Sequence, residues 1–142
     1  MTQNFEIIYA DKMDDAYQAI IIDAFNRDAK EKKGLTGDLR SFSFSCLDQD
    51  KNFFAGVQGV SFWGALYISS LYISENCRNQ GYGTLLIKKA EELARERNCT
   101  FVHLSTMDFQ AKPFYEKLGY SLEFTRHGYE KDSVLYLLRK DL

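Results

Sequence analysis

The sequence predicts an α/β fold, and three observations support this prediction. Short apolar or alternating segments, typical of strands, are interspersed with amphipathic helical stripes along the 142 residues. Two glycines, Gly81 and Gly83, stand between one such strand and the start of a helix. A content of 45% hydrophobic and 27% charged residues is typical of a chain with a packed core, which excludes global disorder.

The chain is expected to begin with a strand followed by a helix. Residues 5–9 are apolar and aromatic, as in a short strand. Beyond them, apolar residues recur at the spacing of an amphipathic helix, namely at Tyr17, Ile20, Ile21, Ala24 and Phe25. Two acids precede this stripe, where they favour the positive end of a helix dipole, and Gly34 is expected to end the helix.

Three strands are predicted next. Residues 41–46 alternate between serine and larger side chains, which is the period of a strand, and turn-forming residues occupy 48–52. Residues 53–73 are compatible with strand throughout, and Gly64 divides them into two. A β-hairpin and a further strand therefore lead to the glycine pair.

The C-terminal half continues with two helices and three strands. A helical stripe, ending near Arg97, runs through Leu86, Ala90, Leu93 and Ala94. A short buried strand is expected at 101–104 and a short helix at 110–118, with Pro113 in its first turn and Gly119 at its end. Strands at 121–124 and 134–139 complete the order β-α-β-β-β-α-β-α-β-β.

Charge and cysteine content exclude several classes of function. A formal net charge of −2 argues against nucleic acid bound through bulk charge. Three widely spaced cysteines and two histidines form neither a disulfide framework nor a metal-binding pattern, so we expect no metal. No basic and apolar leader and no apolar run near 18 residues is present, so we expect no signal peptide, no membrane association and a cytoplasmic location.

The segment Arg78-Asn79-Gln80-Gly81-Tyr82-Gly83 is typical of an anion site. Glycines at a strand-to-helix junction let backbone N–H groups converge at the positive end of a helix. A Walker loop is excluded because Thr84 and Leu85 follow Gly83 where Lys and Ser or Thr are needed. A dinucleotide fingerprint is excluded by Leu86, which stands where a third small residue is required.

The hexapeptide fits the pattern Arg/Gln-x-x-Gly-x-Gly/Ala, and a second motif follows it downstream. That motif consists of Ala111, Phe114, Tyr115, Lys117, Gly119 and Tyr120. Through both motifs, and the order of elements around them, essentially the whole chain resembles the GNAT superfamily of acetyl-CoA-dependent N-acetyltransferases. The resemblance implies one domain over residues 1–142, with a mixed, mostly antiparallel sheet that is splayed in the middle and has helices on both faces.

The resemblance also implies a set of site residues for acetyl-CoA. Tyr115 stands where the family places a tyrosine that gives a proton to the departing thiolate of coenzyme A. The cofactor-binding residues implied are Leu71, Ile73, Arg78, Asn79, Gln80, Gly81, Tyr82, Gly83, Thr84, Asp108 and Gln110. The expected reaction is direct attack of a primary amine on the thioester in a ternary complex. The alternative is a non-catalytic module that binds or senses acyl-CoA.

The group that takes the amine proton is left open by the sequence. Many family members have an acid in the strand before the cofactor loop, whereas residues 65–73 contain none. The remaining candidates are Glu75, Asp108, or a water held by Ser69, Ser70 or Tyr67. Asp108 is alternatively a cap for the helix that follows it. His103 is expected to be a hydrogen-bonded histidine of the core, with the role of a base as the alternative, and His127 lies in a loop that is a candidate border of the acceptor site.

Other features say less about function. Glu91 is expected on a solvated helix face, spaced for an ion pair with Arg95. The acceptor would be set by loops near residues 30–40 and 125–132, whose composition does not identify it. Residues 134–138, an aromatic-containing strand, are a candidate surface for a homodimer.

Overall fold

The computed structural model describes residues 4–142, in two compact units, one ending at Thr36 and the other spanning Gly37–Leu142. The described part of the first unit contains helix α1, Asp15–Lys33. Asp14 caps its start by accepting a 2.8 Å hydrogen bond from the Ala16 N–H. Gly34 ends it in the left-handed conformation, with φ of 69°, as predicted. A single domain over residues 1–142 stays a prediction.

The prediction of a first strand at residues 5–9 is wrong. These residues adopt no regular secondary structure, and the large apolar side chains among them are exposed. A strand forms by hydrogen bonding to a neighbouring strand, and the described part of this unit has only α1 besides these residues. An apolar pattern alone supplies no such partner.

The second unit contains a six-stranded mixed sheet. Its strands are β1 Arg40–Leu47, β2 Phe53–Phe62, β3 Ala65–Ile73, β4 Phe101–Met107, β5 Ser121–Arg126 and β6 Leu135–Asp141. Their order across the sheet is β1-β2-β3-β4-β6-β5, and only β3 and β4 are parallel. The expected mixed, mostly antiparallel sheet is thus confirmed, with one strand fewer than predicted.

Two helices of this unit pack their apolar residues into the same core. Helix α2 is Tyr82–Glu96 and helix α3 is Lys112–Lys117. Leu86, Ile87, Ala90 and Ala94 of α2 and Tyr115 of α3 are buried in this core with Leu66, Ile68, Val102, Leu104 and Leu138 of the sheet. Among the helices of residues 4–142, none is long and apolar enough to cross a membrane.

Strands β3 and β4 pair over four residues and then part. Pairing runs from Ala65 opposite Phe101 to Ile68 opposite Leu104. At that point β3 contains a bulge, because Gln58 and Gly59 of β2 face Ser70 and Ile68, which leaves Ser69 as the extra residue. The Ser69 hydroxyl donates to the Gln58 carbonyl at 3.2 Å. The splay expected in the middle of the sheet therefore coincides with a bulge at Ser69.

Candidate active site

A cleft of about 850 Å³ opens where β3 and β4 part. Residues 68–73 line one side, residues 104–106 line the other, and the start of α2 and part of α3 complete it. Most of the predicted site residues meet here, namely Leu71, Ile73, Arg78, Asn79, Gly81, Tyr82, Gly83, Thr84, Gln110 and Tyr115. Gln80 and Asp108 are not among the residues that line the cleft.

The edge of β3 that faces the cleft is available for backbone hydrogen bonds. Over residues 70–73, β3 pairs with β2 on one side, whereas its pairing with β4 has ended at Ile68. The free edge presents N–H and C=O groups at the spacing of a strand. An extended ligand can therefore add to this edge as a strand would.

The start of α2 presents unpaired amides to the cleft. Gly81 caps the helix in the left-handed region, with φ of 88°, and no side chain caps the helix. Within the described chain, no hydrogen-bond partner is found for the N–H groups of Tyr82, Gly83 and Thr84, whereas Leu85 bonds back to the Gly81 carbonyl. These three donors, at the positive end of the helix dipole, form an anion site.

Two contacts hold this loop against the end of β3 and against α3. Arg78 Nε donates to the Ile73 carbonyl at 3.1 Å, which holds the guanidinium at the end of β3. A Cβ atom on Gly83 would lie 3.1 Å from Phe114 Cζ, so the glycine allows the Phe114 ring to pack closely. Gln80 instead donates its side-chain amide to the Asn76 carbonyl at 3.2 Å.

Tyr115 reaches the cleft from the buried side of α3. Its side chain lines the cleft although the residue is only 7% exposed. Burial raises the pKa of Tyr115 to about 12. The phenol is therefore protonated throughout the neutral range, so it is available as a donor and not as a base.

A buried polar cluster lies behind Tyr115, and it corrects the expectation that Glu91 faces solvent. Glu91 is 5% exposed. Its carboxylate accepts a 2.9 Å hydrogen bond from the Tyr120 hydroxyl and forms an ion pair with Lys140 Nζ at 3.1 Å. The rings of Tyr115 and Tyr120 meet edge to face, with centroids 6.0 Å apart. Burial, followed by the Glu91 charge, raises the pKa of Tyr120. Arg95 does not take the predicted role as ion-pair partner of Glu91.

The two acidic candidates for the proton acceptor lie outside the cleft lining. Glu75 is exposed in a single turn of 3-10 helix, Glu75–Cys77. Asp108 is exposed as well, and its backbone N–H donates to the Val134 carbonyl. It does not cap α3, because that helix has Ala111 at its N-cap and no side-chain cap. The Ala111 N–H is instead satisfied by the Thr106 hydroxyl at 3.2 Å.

The two histidines occupy different environments. His127 is exposed in the loop that follows β5. His103 is half-buried on β4, not in the core but on the opposite face of the sheet, where its ring lies 5.0 Å from that of Tyr67. Burial lowers the pKa of His103, the Glu123 charge opposes this effect, and the Arg139 charge adds to it.

Sequence reasoning missed several cleft residues, among them Ser105, Thr106 and Phe109. They lie between the predicted end of β4 and the second motif, so their proximity to that motif was the available signal. Cys77 also lines the cleft, and Cys99 is buried. In the described part of the chain no cluster of three or more His, Cys, Asp or Glu side chains is arranged to hold a metal.

Comparison with solved structures defines the class of protein first. A candidate acetyltransferase from Agrobacterium tumefaciens superposes with a TM-score of 0.78 at 25% identity, covering 97% of this chain and all of that one. A candidate streptothricin acetyltransferase from Bacillus anthracis, solved in complex with acetyl coenzyme A, shares the fold at a TM-score of 0.65. It is 22% identical and covers 72% of this chain and 62% of that one. The fold is thus that of the acetyltransferases.

The family follows from the sequence match. The model of the acetyltransferase (GNAT) family matches residues 5–120, and the chain belongs to this family. The blasticidin-S acetyltransferase of Streptomyces morookaense is 35% identical over 88 residues, which is 61% of this chain and 65% of that protein. The chain spans less than two thirds of the length of the curated relatives that it matches first.

Proposed function

We propose that this protein is an N-acetyltransferase that moves an acetyl group from acetyl-CoA to a primary amine by direct attack in a ternary complex. One observation supports this more than any other. The unpaired amides of α2, the free edge of β3 and the buried phenol of Tyr115 all border one cleft.

The residues of the cleft fit coenzyme A. The N–H groups of Tyr82, Gly83 and Thr84, with the guanidinium of Arg78, suit a diphosphate. Leu71 and Ile73 would pair with the extended pantetheine arm through backbone groups, and Gln110 would lie beside that arm. The side-chain carbonyl of Gln110 already accepts from the Met107 N–H at 2.8 Å, which fixes its orientation. Bound acetyl-CoA supplies a thioester.

Tyr115 acts as the proton donor to the departing sulfur. Its pKa of about 12 keeps the proton in place until it is needed. Complete transfer to a thiolate with a reference pKa of about 8.5 would be uphill by roughly 5 kcal/mol. Tyr115 therefore gives its proton to the sulfur only as the nitrogen returns one to the phenol during amide formation.

One observation favours the second candidate, a module that binds acyl-CoA without turnover. Among the described residues that line the cleft there is no carboxylate and no imidazole. An alkyl ammonium has a pKa of about 10.4, so an enzyme must provide a route for its proton. A cleft that binds the cofactor but lacks such a route would be a sensor.

Ligand binding and turnover separate the two candidates. We expect coenzyme A at 100 times its Kd to add about 2.7 kcal/mol to the free energy of unfolding. Pantetheine, which lacks the diphosphate, is the control. At the same concentration it should add less to the free energy of unfolding than coenzyme A does. Thiol release is then measured with acetyl-CoA and a panel of amines comprising a polyamine, an aminoglycoside, a peptide and blasticidin S, the acceptor that names the Streptomyces relative.

Each outcome selects one candidate. Stabilisation with turnover of any amine supports the acetyltransferase. Stabilisation without turnover of any amine supports the sensor. Equal melting temperatures with and without coenzyme A would exclude both.

A further inference from the structure

The proposed acetyl transfer requires a proton acceptor that the cleft lining itself does not supply. None of the described lining residues carries a carboxylate or an imidazole, and Tyr115 is held protonated. The path of the proton from the acceptor amine therefore has to lead beyond the lining, and any inference about that path rests on the proposed function.

With the cofactor on the core face beside α2, we expect the amine to approach from the opposite face of the sheet. Tyr115 and the start of α2 border the cleft on the core face of the sheet, together with Leu104. Side chains alternate along a strand, so Ser105 borders the cleft on the other face. An amine that meets the thioester from that face therefore passes Ser105.

His103 is the next residue on this face of β4. It precedes Ser105 by two positions, which places their Cα atoms about 7 Å apart along the strand. Tyr67, its partner in the register on β3, lies two positions before Ser69, the bulged residue that borders the cleft. The rings of Tyr67 and Phe101 hold the imidazole from two sides, at centroid distances of 5.0 and 5.6 Å.

We propose that His103 is the general base of this enzyme, taking a proton from the acceptor ammonium through a water held beside Ser105. Among the described charged and titratable residues of the second unit, those facing the imidazole are Tyr67 of β3, Glu123 of β5 and Arg139 of β6. Arg139 stacks on Phe101, 3.7 Å from the ring centroid, and is paired with Asp141 and Glu123. Burial and the Arg139 charge lower the pKa of His103 against the opposing Glu123 charge, so the imidazole is neutral at neutral pH and able to accept a proton.

The protons balance with His103 and Tyr115 in separate roles. His103 takes one proton from the ammonium and later releases it to solvent. The freed amine bonds to the acyl carbon as the bond from that carbon to sulfur breaks. Tyr115 gives its proton to the sulfur and regains one from the new amide nitrogen. The net products are an amide, a thiol and one proton in solution.

The pH dependence of kcat/KM tests this role. With the amine that turns over fastest, kcat/KM of the wild type should rise with pH to a plateau, with an apparent pKa below 6.5. The pH profile of His103→Gln should lack this step, and its kcat/KM at pH 7.5 should be about 100-fold lower than that of the wild type. Phe101→Leu is the matched control, because it removes a ring from the same stack and strand without removing a titrating group. The pH profile of Phe101→Leu should keep the step in kcat/KM.

Proton NMR of the wild type gives an independent readout that does not depend on a folded variant. The sequence has two histidines, so His103 is assigned by difference from a His127→Gln spectrum. The His103 resonances should titrate at the pKa of the kinetic step. A mismatch of the two values, or a kinetic step retained in His103→Gln, would overturn the role of His103 while leaving the acetyltransferase intact. Absence of turnover with every amine would overturn the proposed function and this role together.

Discussion

The hydroxyl of Tyr120 donates a 2.9 Å hydrogen bond to the carboxylate of Glu91, and both residues are buried behind the cleft. The bond joins the middle of α2 to the residue that follows the Gly119 turn. Lys140 of β6 pairs with the same carboxylate, so that the charge is compensated inside the protein. Because the Tyr120 ring packs against that of Tyr115, the cluster supports the proposed proton donor from behind.

Replacing Tyr115 by Phe should lower turnover while leaving cofactor binding similar. The ring keeps its packing against Phe114 and Tyr120, and only the proton donor is lost. We expect kcat to fall by about 100-fold or more, with the Kd for coenzyme A within twofold of the wild type by calorimetry. Unchanged turnover would show that the thiolate leaves without help from this phenol.

Replacing Tyr120 by Phe should destabilise the protein. The change removes a hydrogen bond to a buried carboxylate, for which about 1.5–3 kcal/mol is typical. Urea unfolding gives the free energy of unfolding, and Tyr17→Phe at an exposed position of α1 is the control, expected within about 0.5 kcal/mol of the wild type. A stability equal to that of the control would indicate that Lys140 alone satisfies Glu91.

The free energy of unfolding should fall in alkaline solution because of Tyr115 and Tyr120. Burial raises the pKa of Tyr115 to about 12 and also raises that of Tyr120, whereas an unfolded tyrosine ionises near 10. Above about pH 10 the unfolded state therefore binds fewer protons, and each tyrosine lowers the free energy of unfolding by about 1.4 kcal/mol per pH unit. Below that pH both states are protonated and this contribution is constant.

Two measurements check the alkaline loss. Absorbance at 295 nm should show at least two tyrosines that do not ionise between pH 10 and 11 while the protein is folded. Urea unfolding over the same range should show that the free energy of unfolding falls less steeply with pH in Tyr120→Phe. This variant retains only Tyr115 of the two buried tyrosines. A slope identical to that of the wild type would contradict the assignment to Tyr120.

Replacing Gly81 by Ala should weaken coenzyme A binding. Gly81 has φ of +88°, and beyond its chain neighbours no atom lies within 4 Å of the position that an added methyl group would take. The cost is therefore one of backbone conformation and not of collision. Gly34, with φ of +69° and equally open surroundings at the end of α1, is the matched control. Both variants should lose about 1 kcal/mol of stability. Only Gly81→Ala should bind coenzyme A more weakly, by about tenfold, as measured by calorimetry.

Features set by neighbouring residues could be predicted from the sequence. The end of α1 at Gly34, the turn near Gly64 and the first turn of α3 with Pro113 all depend on local backbone preferences. The glycine-led start of α2 is of the same kind, since two glycines in three residues are visible directly. Most of the candidate site was predicted because it follows from this local motif.

Features that depend on distant residues could not be predicted. Glu91 has the spacing of a solvated ion pair within its helix, yet its partners stand 29 and 49 residues further along the chain. Likewise, His103 has the pattern of a core residue, and only the register with Tyr67 and Arg139 places it on the opposite face of the sheet. The failed strand at residues 5–9 has the same cause, because a strand requires a partner that its own sequence does not specify.

The four-residue pairing of β3 with β4 has a consequence for the order of folding. The ribbon β1-β2-β3 is joined by two short connections and forms from contacts between neighbours in the sequence. The ribbon β4-β6-β5 needs the last residues of the chain, and the parallel seam closes only after α2 has crossed over. Contacts of high sequence separation form late because loop closure must precede them. We therefore expect the cleft to take shape among the last steps of folding, when the second ribbon docks on the first.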